Sequence, residues 1–232
     1  MQAGKTSIKH WAKGDRPREK LLSKNPEALS DSELLAILIS SGTPQRSAVD
    51  LAKDILKLGK NDLQRLGKLS VKEFMKIKGI GQAKAIIIAA ALELGRRRQA
   101  VLSLSPEKNL LKDGRAAATY LQIMLKDHRY EVLGALYLNS AGKILHFEIL
   151  SQGGLTGTVA DPRVIFKKAL EEDAVSIILC HNHPSGNLRP SKADEEFTQK
   201  IKEGAKHLDI KLLDHIIVSE EGYFSFADNG LL

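Results

Sequence analysis

Two histidines one residue apart, His181-Asn182-His183, follow the apolar run Val175 to Cys180 and precede Pro184-Ser185-Gly186. In extended backbone, side chains at i and i+2 point to one side, so both imidazoles can reach a single ion. Asp194 falls in the first turn of the helix expected over 191–207, and the Pro- and Gly-containing loop before it can fold that turn back toward the histidines. Two nitrogens and one carboxylate oxygen suit zinc, one ion per chain, with a fourth tetrahedral position left for water. Such an ion lowers the pKa of its water from ~15.7 toward ~7 and polarises a carbonyl. The residues alone leave a structural alternative open. H-x-H pairs also occur on plain surfaces and in cores, and Ser191 followed three residues later by an acid is equally a helix N-cap.

The elements that must position these groups are readable around them. Val175 to Cys180 is almost wholly apolar and reads as a central buried strand. Glu131 to Leu138 and Lys143 to Leu150 flank the turn Asn139-Ser140-Ala141-Gly142 and read as a hairpin. Helices are expected over Asp113 to Lys126 and from Pro162 through Glu172, and further strands over Ile210 to Val218 and Tyr223 to Phe226. Strands covered by two or three helices make an α/β domain. Residues 17–98 read instead as helices alone, with Ser30 and Asp31 as caps, Ala48 to Leu58 as an amphipathic stretch, a helix from Ser70 to Ile77, and Gln82 to Leu94 closed by Gly95. Arg96-Arg97-Arg98 suits a helix end followed by an exposed linker. Two domains are therefore expected, 1–100 and 101–232.

Charge divides the chain at the same place. The whole of its 232 residues carries +7, of which residues 1–100 hold a net +10 and the remainder −3. Basic charge is consistent with phosphate backbones, and is also common on plain surfaces. Within the basic part, Ile77 to Ala85 contains Gly79-Ile80-Gly81, whose glycines allow a tight turn while Ile80 packs between two helices. The N–H groups opening the second helix could then bind a phosphate, with Lys76, Lys78 and Lys84 adding backbone contacts. Such DNA binding would be sequence-independent and salt-dependent. The alternative is a compact helical turn only, or a protein contact. Trp11 and Phe74 are nearly the only aromatics here, which argues against a single-strand stacking platform.

The conjunction H-x-H-x7-S-x-x-D resembles the JAMM (MPN-plus) metalloprotease signature, and with HNHPSG it is similar to the bacterial RadC family, historically labelled DNA-repair proteins. The likeness runs from Arg16-Pro17-Arg18-Glu19-Lys20 to Asp214-His215-Ile216-Ile217, and Gly79-Ile80-Gly81 resembles a helix-hairpin-helix. It implies a cytidine-deaminase-like α/β/α sandwich with zinc on His181, His183 and Asp194, preceded by an all-α helix-hairpin-helix domain. It implies amide hydrolysis, with Ser191 on the developing oxyanion and an upstream glutamate as general base. Glu131, in an E-x-x-x-A-L context, fits that base better than Glu148, which sits mid-strand. The other readings are a repair accessory protein whose zinc fold is a scaffold, and a metal-dependent nuclease. The substrate that the resemblance implies is a protein or peptide.

The remaining polar residues read more plainly. Cys180, the single cysteine, rules out an internal disulfide and a multi-Cys zinc site, and is expected to be buried as a small hydrophobe. His207 and His215 read as ordinary surface or core histidines, with a supporting place beside the metal the alternative; Asp214 is assigned no role, and Arg163 is expected in an exposed ion pair. No stretch approaches the ~18 apolar residues of a membrane span. Without an apolar leader segment, a cytoplasmic setting is expected.

Overall fold

Serine and aspartate caps decide where the N-terminal helices begin. A computed structural model describes residues 8–104, 110–153 and 161–232. In it α1 (Pro17–Ser23) starts on proline, whose missing N–H is harmless in a first turn. Ser30, Ser47 and Ser70 each cap a helix and share a reciprocal capping box with Glu33, Asp50 and Glu73, opening α2 (Asp31–Ile39), α3 (Ala48–Leu58) and α5 (Val71–Phe74). Asp62 caps the short α4 (Leu63–Gly67). The core that these helices enclose includes Leu35, Ile39, Leu51, Ile55, Leu66, Phe74, Ile80 and Ile88.

Two expectations for this half need correction. The helix from Ser70 does not reach Ile77: after α5 the chain tightens into i→i+3 turns, with Ile77 N–H donating to Phe74 O and Ile80 N–H to Ile77 O. Nor does Gly95 end the next helix, since α6 runs Gln82–Leu102. A single interior glycine weakens a helix by only about 1 kcal/mol. Beyond it Arg96 Nη1 donates to Met124 O and Ala100 is buried in the second core, so the three arginines lie on a helix that tertiary contacts sustain. The compact units divide within α6, as Met1–Gly95 and Arg96–Leu232.

The C-terminal unit is a mixed five-stranded sheet between helices. Its strands are β1 (Val132–Leu138), β2 (Ile144–Gln152), β3 (Ser176–Asn182), β4 (Lys211–Val218) and β5 (Tyr223–Ser225), and its helices α7 (Gly114–Leu125), α8 (Pro162–Glu171) and α9 (Lys192–Lys206). The order is β2-β1-β3-β4-β5, with β3 and β4 parallel and the other pairs antiparallel. β1 and β3 are buried at every position, which is why their sequences are runs rather than alternations. Leu136, Ile178, Cys180 and Ile216 pack with Ala117 and Leu121 of α7 on one face. Ala135, Ile177 and Leu179 pack with Ile165 and Ala169 of α8 and Ile201 and Ala205 of α9 on the other. The result is the α/β/α sandwich expected of this part.

Candidate metal centre

β3 delivers the first histidine. Successive side chains on a strand alternate between faces, so His181 follows Ile177 and Leu179 onto the side covered by α8 and α9. Its side chain is 8% exposed. His183 N–H donates to Val218 O at 2.8 Å, which carries the β3–β4 ladder one residue further and aligns the second imidazole with the first. The loop then turns at Gly186, and Asn187 O accepts a short hydrogen bond from His183 Nδ1. A carbonyl oxygen can only accept, so Nδ1 carries a proton, which leaves Nε2 as the ring nitrogen that can ligate.

Asp194 arrives as the third residue of α9. Ser191 donates to its Oδ2 twice, from N at 2.7 Å and from Oγ at 2.6 Å, and accepts from Asp194 N–H at 3.2 Å. That capping box occupies one carboxylate oxygen and leaves Oδ1 for the histidines, 3.5 Å from His181 Nε2. His181 Nε2 and His183 Nε2 are 3.0 Å apart, and the three groups can place one ligand atom each within 4.8 Å of one another. Tetrahedral ligands ~2.0–2.1 Å from a zinc ion are ~3.3 Å from each other, so this donor set fits the ion in both chemistry and spacing. Burial lowers the His181 pKa to about 4, with Asp194 pulling it up and His183 pushing it further down. A neutral imidazole is the form that ligates. His183 and Asp194 are partly exposed, so the fourth side is reachable from solvent.

Three buried polar residues support this site: Asn182 and Thr198, to which sequence reading assigned no role, and His215, read as an ordinary histidine with a supporting place as the alternative. Asn182, 4% exposed, accepts at Oδ1 from Val132 N–H (2.8 Å) and donates from Nδ2 to Tyr130 O (3.1 Å) and His128 O (3.3 Å). It thereby fastens the segment entering β1 to the end of β3. His215 of β4 is wholly buried, lies opposite Leu179 and places Nε2 2.9 Å from His181 Nδ1. Thr198 completes the set, with Oγ1 2.6 Å from His215 Nδ1 and donating to Asp194 O at 2.6 Å. The available signals were a lone histidine inside an apolar strand and a threonine one turn after the acid.

The other expected residues fall as follows. Glu131 is exposed immediately before β1, whose Leu133 lies opposite His181. Glu148 lies opposite Ala135 on the edge strand β2, where it accepts from Tyr137 Oη at 3.1 Å. Cys180 is fully buried. Arg163 is exposed and paired with Asp161, and Asp214 is a buried acceptor for Ser225 Oγ, Ala227 N–H and its neighbour's N–H. In the helical unit Gly79 has φ +100°, and a Cβ there would come within 2.6 Å of Thr43. Ile80 is buried, Gly81 is open, and Lys76 and Lys78 are exposed. Lys84 Nζ instead donates to Ser41 O at 2.6 Å. A cavity of about 360 Å³ in the same unit is lined by Arg16, Arg18, Ser40, Thr43 and Arg46 among others, and contains none of the candidate ligands.

Residues 111–231 match the family described as RadC-like JAB domain, and residues 8–86 match the UPF0758 N-terminal family. The chain belongs to the RadC family. A UPF0758 protein of Flavobacterium johnsoniae is 47% identical over all of both chains. RadC-family relatives from Porphyromonas gingivalis (43%) and Nitrosococcus oceani (41%), also named UPF0758 proteins, cover 97% of this chain and all of their own length. Among the described residues of this RadC protein no helix is long and apolar enough to cross a membrane.

Proposed function

We propose that this RadC protein is a zinc-dependent hydrolase of peptide or isopeptide bonds, held on DNA by its N-terminal unit. The convergence of His181 Nε2, His183 Nε2 and Asp194 Oδ1 on one solvent-reachable point carries the reading. A complete ligand set with an open side favours an enzyme over a scaffold, because a scaffold needs no activated water.

When bound, zinc would supply an acidified water and polarise the scissile carbonyl. The chain's own groups provide the rest. His181, His183 and Asp194 would hold the ion, and Ser191 would keep Asp194 Oδ2 turned away from it. Ser191 would support the oxyanion by swinging its hydroxyl off Asp194, while its N–H stays on Oδ2. Glu131 would take the water's proton and pass it to the leaving amine. Asn182 on Val132 N–H and Gly153 N–H on Glu131 O support that assignment by fixing the backbone to either side of it. Glu148 is already engaged by Tyr137, which favours Glu131 as the base.

Exposed Lys76 and Lys78 beside the Gly79–Gly81 turn, in a region of net +10, support a DNA phosphate contact. Lys84 would contribute by bracing the turn through Ser41. Duplex affinity should fall steeply with salt, and more weakly so in Lys76→Gln/Lys78→Gln; salt-independent binding would remove the DNA role.

Metal content of untagged wild type and His183→Ala, by mass spectrometry, tests the core of the reading. About one zinc per chain, lost in a folded variant, is expected, and would justify peptidase screening with Glu131→Gln as the inactive control. Folded wild type that takes up no zinc even when it is added would remove the hydrolase.

A further inference from the structure

Behind the three candidate ligands a line of hydrogen bonds runs through the interior, from His181 on β3 to His215 on β4, to Thr198 on α9, and back to the backbone of Asp194. Its direction can be worked out proton by proton. Asp194 O can only accept, so the Thr198 hydroxyl proton, 2.6 Å away, lies on that bond. A hydroxyl has one proton, so the 2.6 Å contact between Thr198 Oγ1 and His215 Nδ1 must be an N–H donation from the ring. His215 has no exposed surface, and its ring nitrogens face His181 Nδ1 and Thr198 Oγ1, neither of which carries a negative charge to offset a buried cation. With the single ring proton on Nδ1, its Nε2 is an acceptor. Facing that lone pair at 2.9 Å, His181 Nδ1 carries a proton, and His181 Nε2 is left bare toward His183 and Asp194.

We propose that His215 and Thr198 are positioning residues that lock His181 in its metal-competent tautomer and tie that choice to the helix turn carrying Asp194. This rests on the metal-site reading above. Neutral histidine has two tautomers, and only one offers Nε2 as a ligand. A line of bonds running the other way would put a proton on His181 Nε2, 3.0 Å from His183 Nε2, and close the site. The geometry of the relay is itself held. Phe226 stacks on the His215 ring at 4.8 Å and 17°, and Asp214 Oδ1 accepts from His215 N–H at 2.7 Å. Because Thr198 bonds the carbonyl of Asp194, the first and third ligands are connected through the protein before any ion joins them. Partners of this kind typically change metal affinity ~10–100-fold.

The first test needs no metal. Long-range proton–nitrogen correlation spectra of the metal-free, full-length, histidine-labelled protein assign the protonated nitrogen of each ring. Nδ1–H is expected on both His181 and His215, and Nε2–H on His181 overturns the proposal. The second test is zinc affinity by chelator competition. His215→Phe, which keeps the stack on Phe226, should weaken binding ~10–100-fold, and Thr198→Val should weaken it in the same sense with recovery in Thr198→Ser. Wild-type affinity in folded His215→Phe overturns the proposal. If that variant does not fold, the Thr198→Val and Thr198→Ser pair decides in the same way. Should wild type bind no zinc, the hydrolase reading fails by itself, and the tautomer spectrum still decides for or against the relay.

Discussion

In the unit Met1–Gly95 the core cluster is Leu, Ile, Val, Ala and Phe, and no polar residue among those described is buried. In Arg96–Leu232 the interior also holds Ser176, His181, Asn182, Thr198, Asp214, His215 and Ser225, and these are all the buried polar residues among those described. Each buried polar group is destabilising unless it is hydrogen-bonded, by roughly 1–3 kcal/mol. Among the described residues of the first unit none is present. Their concentration in the second unit, along β3 and β4, at the end of β5 and on α9, marks where the interior is organised around something other than packing. The capping boxes sharpen the contrast. Ser30–Glu33, Ser47–Asp50, Ser70–Glu73 and Ser191–Asp194 are one local device, and only in the last does the second carboxylate oxygen face a histidine pair.

The largest expected effects compare the two interiors directly. Ile55→Ala and Leu179→Ala each remove a fully buried side chain and should lower stability by ~2–5 kcal/mol in urea unfolding. Leu179 precedes the candidate ligands on β3, so only Leu179→Ala should also weaken zinc binding. Equal zinc affinities would show that the site is insulated from its core. Asn182→Ala strands a buried N–H of Val132 and should destabilise by ~1–3 kcal/mol, measured the same way. Ser30→Ala and Ser191→Ala should each lower stability by ~0.5–2 kcal/mol as lost caps, with a drop in zinc affinity from Ser191→Ala alone. Matching zinc affinities would make the fourth capping box no different from the others.

The smallest effect is electrostatic. Arg46, by hydrogen bond and charge, holds the Asp54 carboxyl below its ordinary range against a smaller opposing effect of burial. A depressed carboxylate contributes stability above its unfolded pKa of ~3.9 and loses it as pH falls through the folded value. Wild type should exceed Asp54→Asn by at most ~1 kcal/mol at pH 7, since the pair is about a third exposed, and the gap should close below pH ~4.

How far the sequence could be read follows the distance between partners. His181, His183 and Asp194 were legible because a two-residue strand spacing and a first helical turn place them within 14 positions. Ser30 and Ser191 were legible as caps because their partners lie three residues on. Asn182 was not, since Val132 is 50 positions away, and His215 meets Thr198 across 17 positions only because β4 lies parallel to β3. The length of α6 was misjudged because Gly95 signals an end locally, while Arg96 and Ala100 find their support on α7, beyond any local window.

The chain's one thiol gives the protein an internal clock. Cys180 is fully buried beside His181, and a side chain at Gly134 would come within 3.3 Å of its sulfur. Burial pushes its pKa far above that of a free cysteine, so the reactive thiolate is scarce even if reagent reached it. A thiol-selective reagent can modify this protein only when the central strand opens, once per molecule and at one position. Labelling rate therefore times the exposure of the strand that carries the histidines, and any ion that bridges that strand to α9 should slow it.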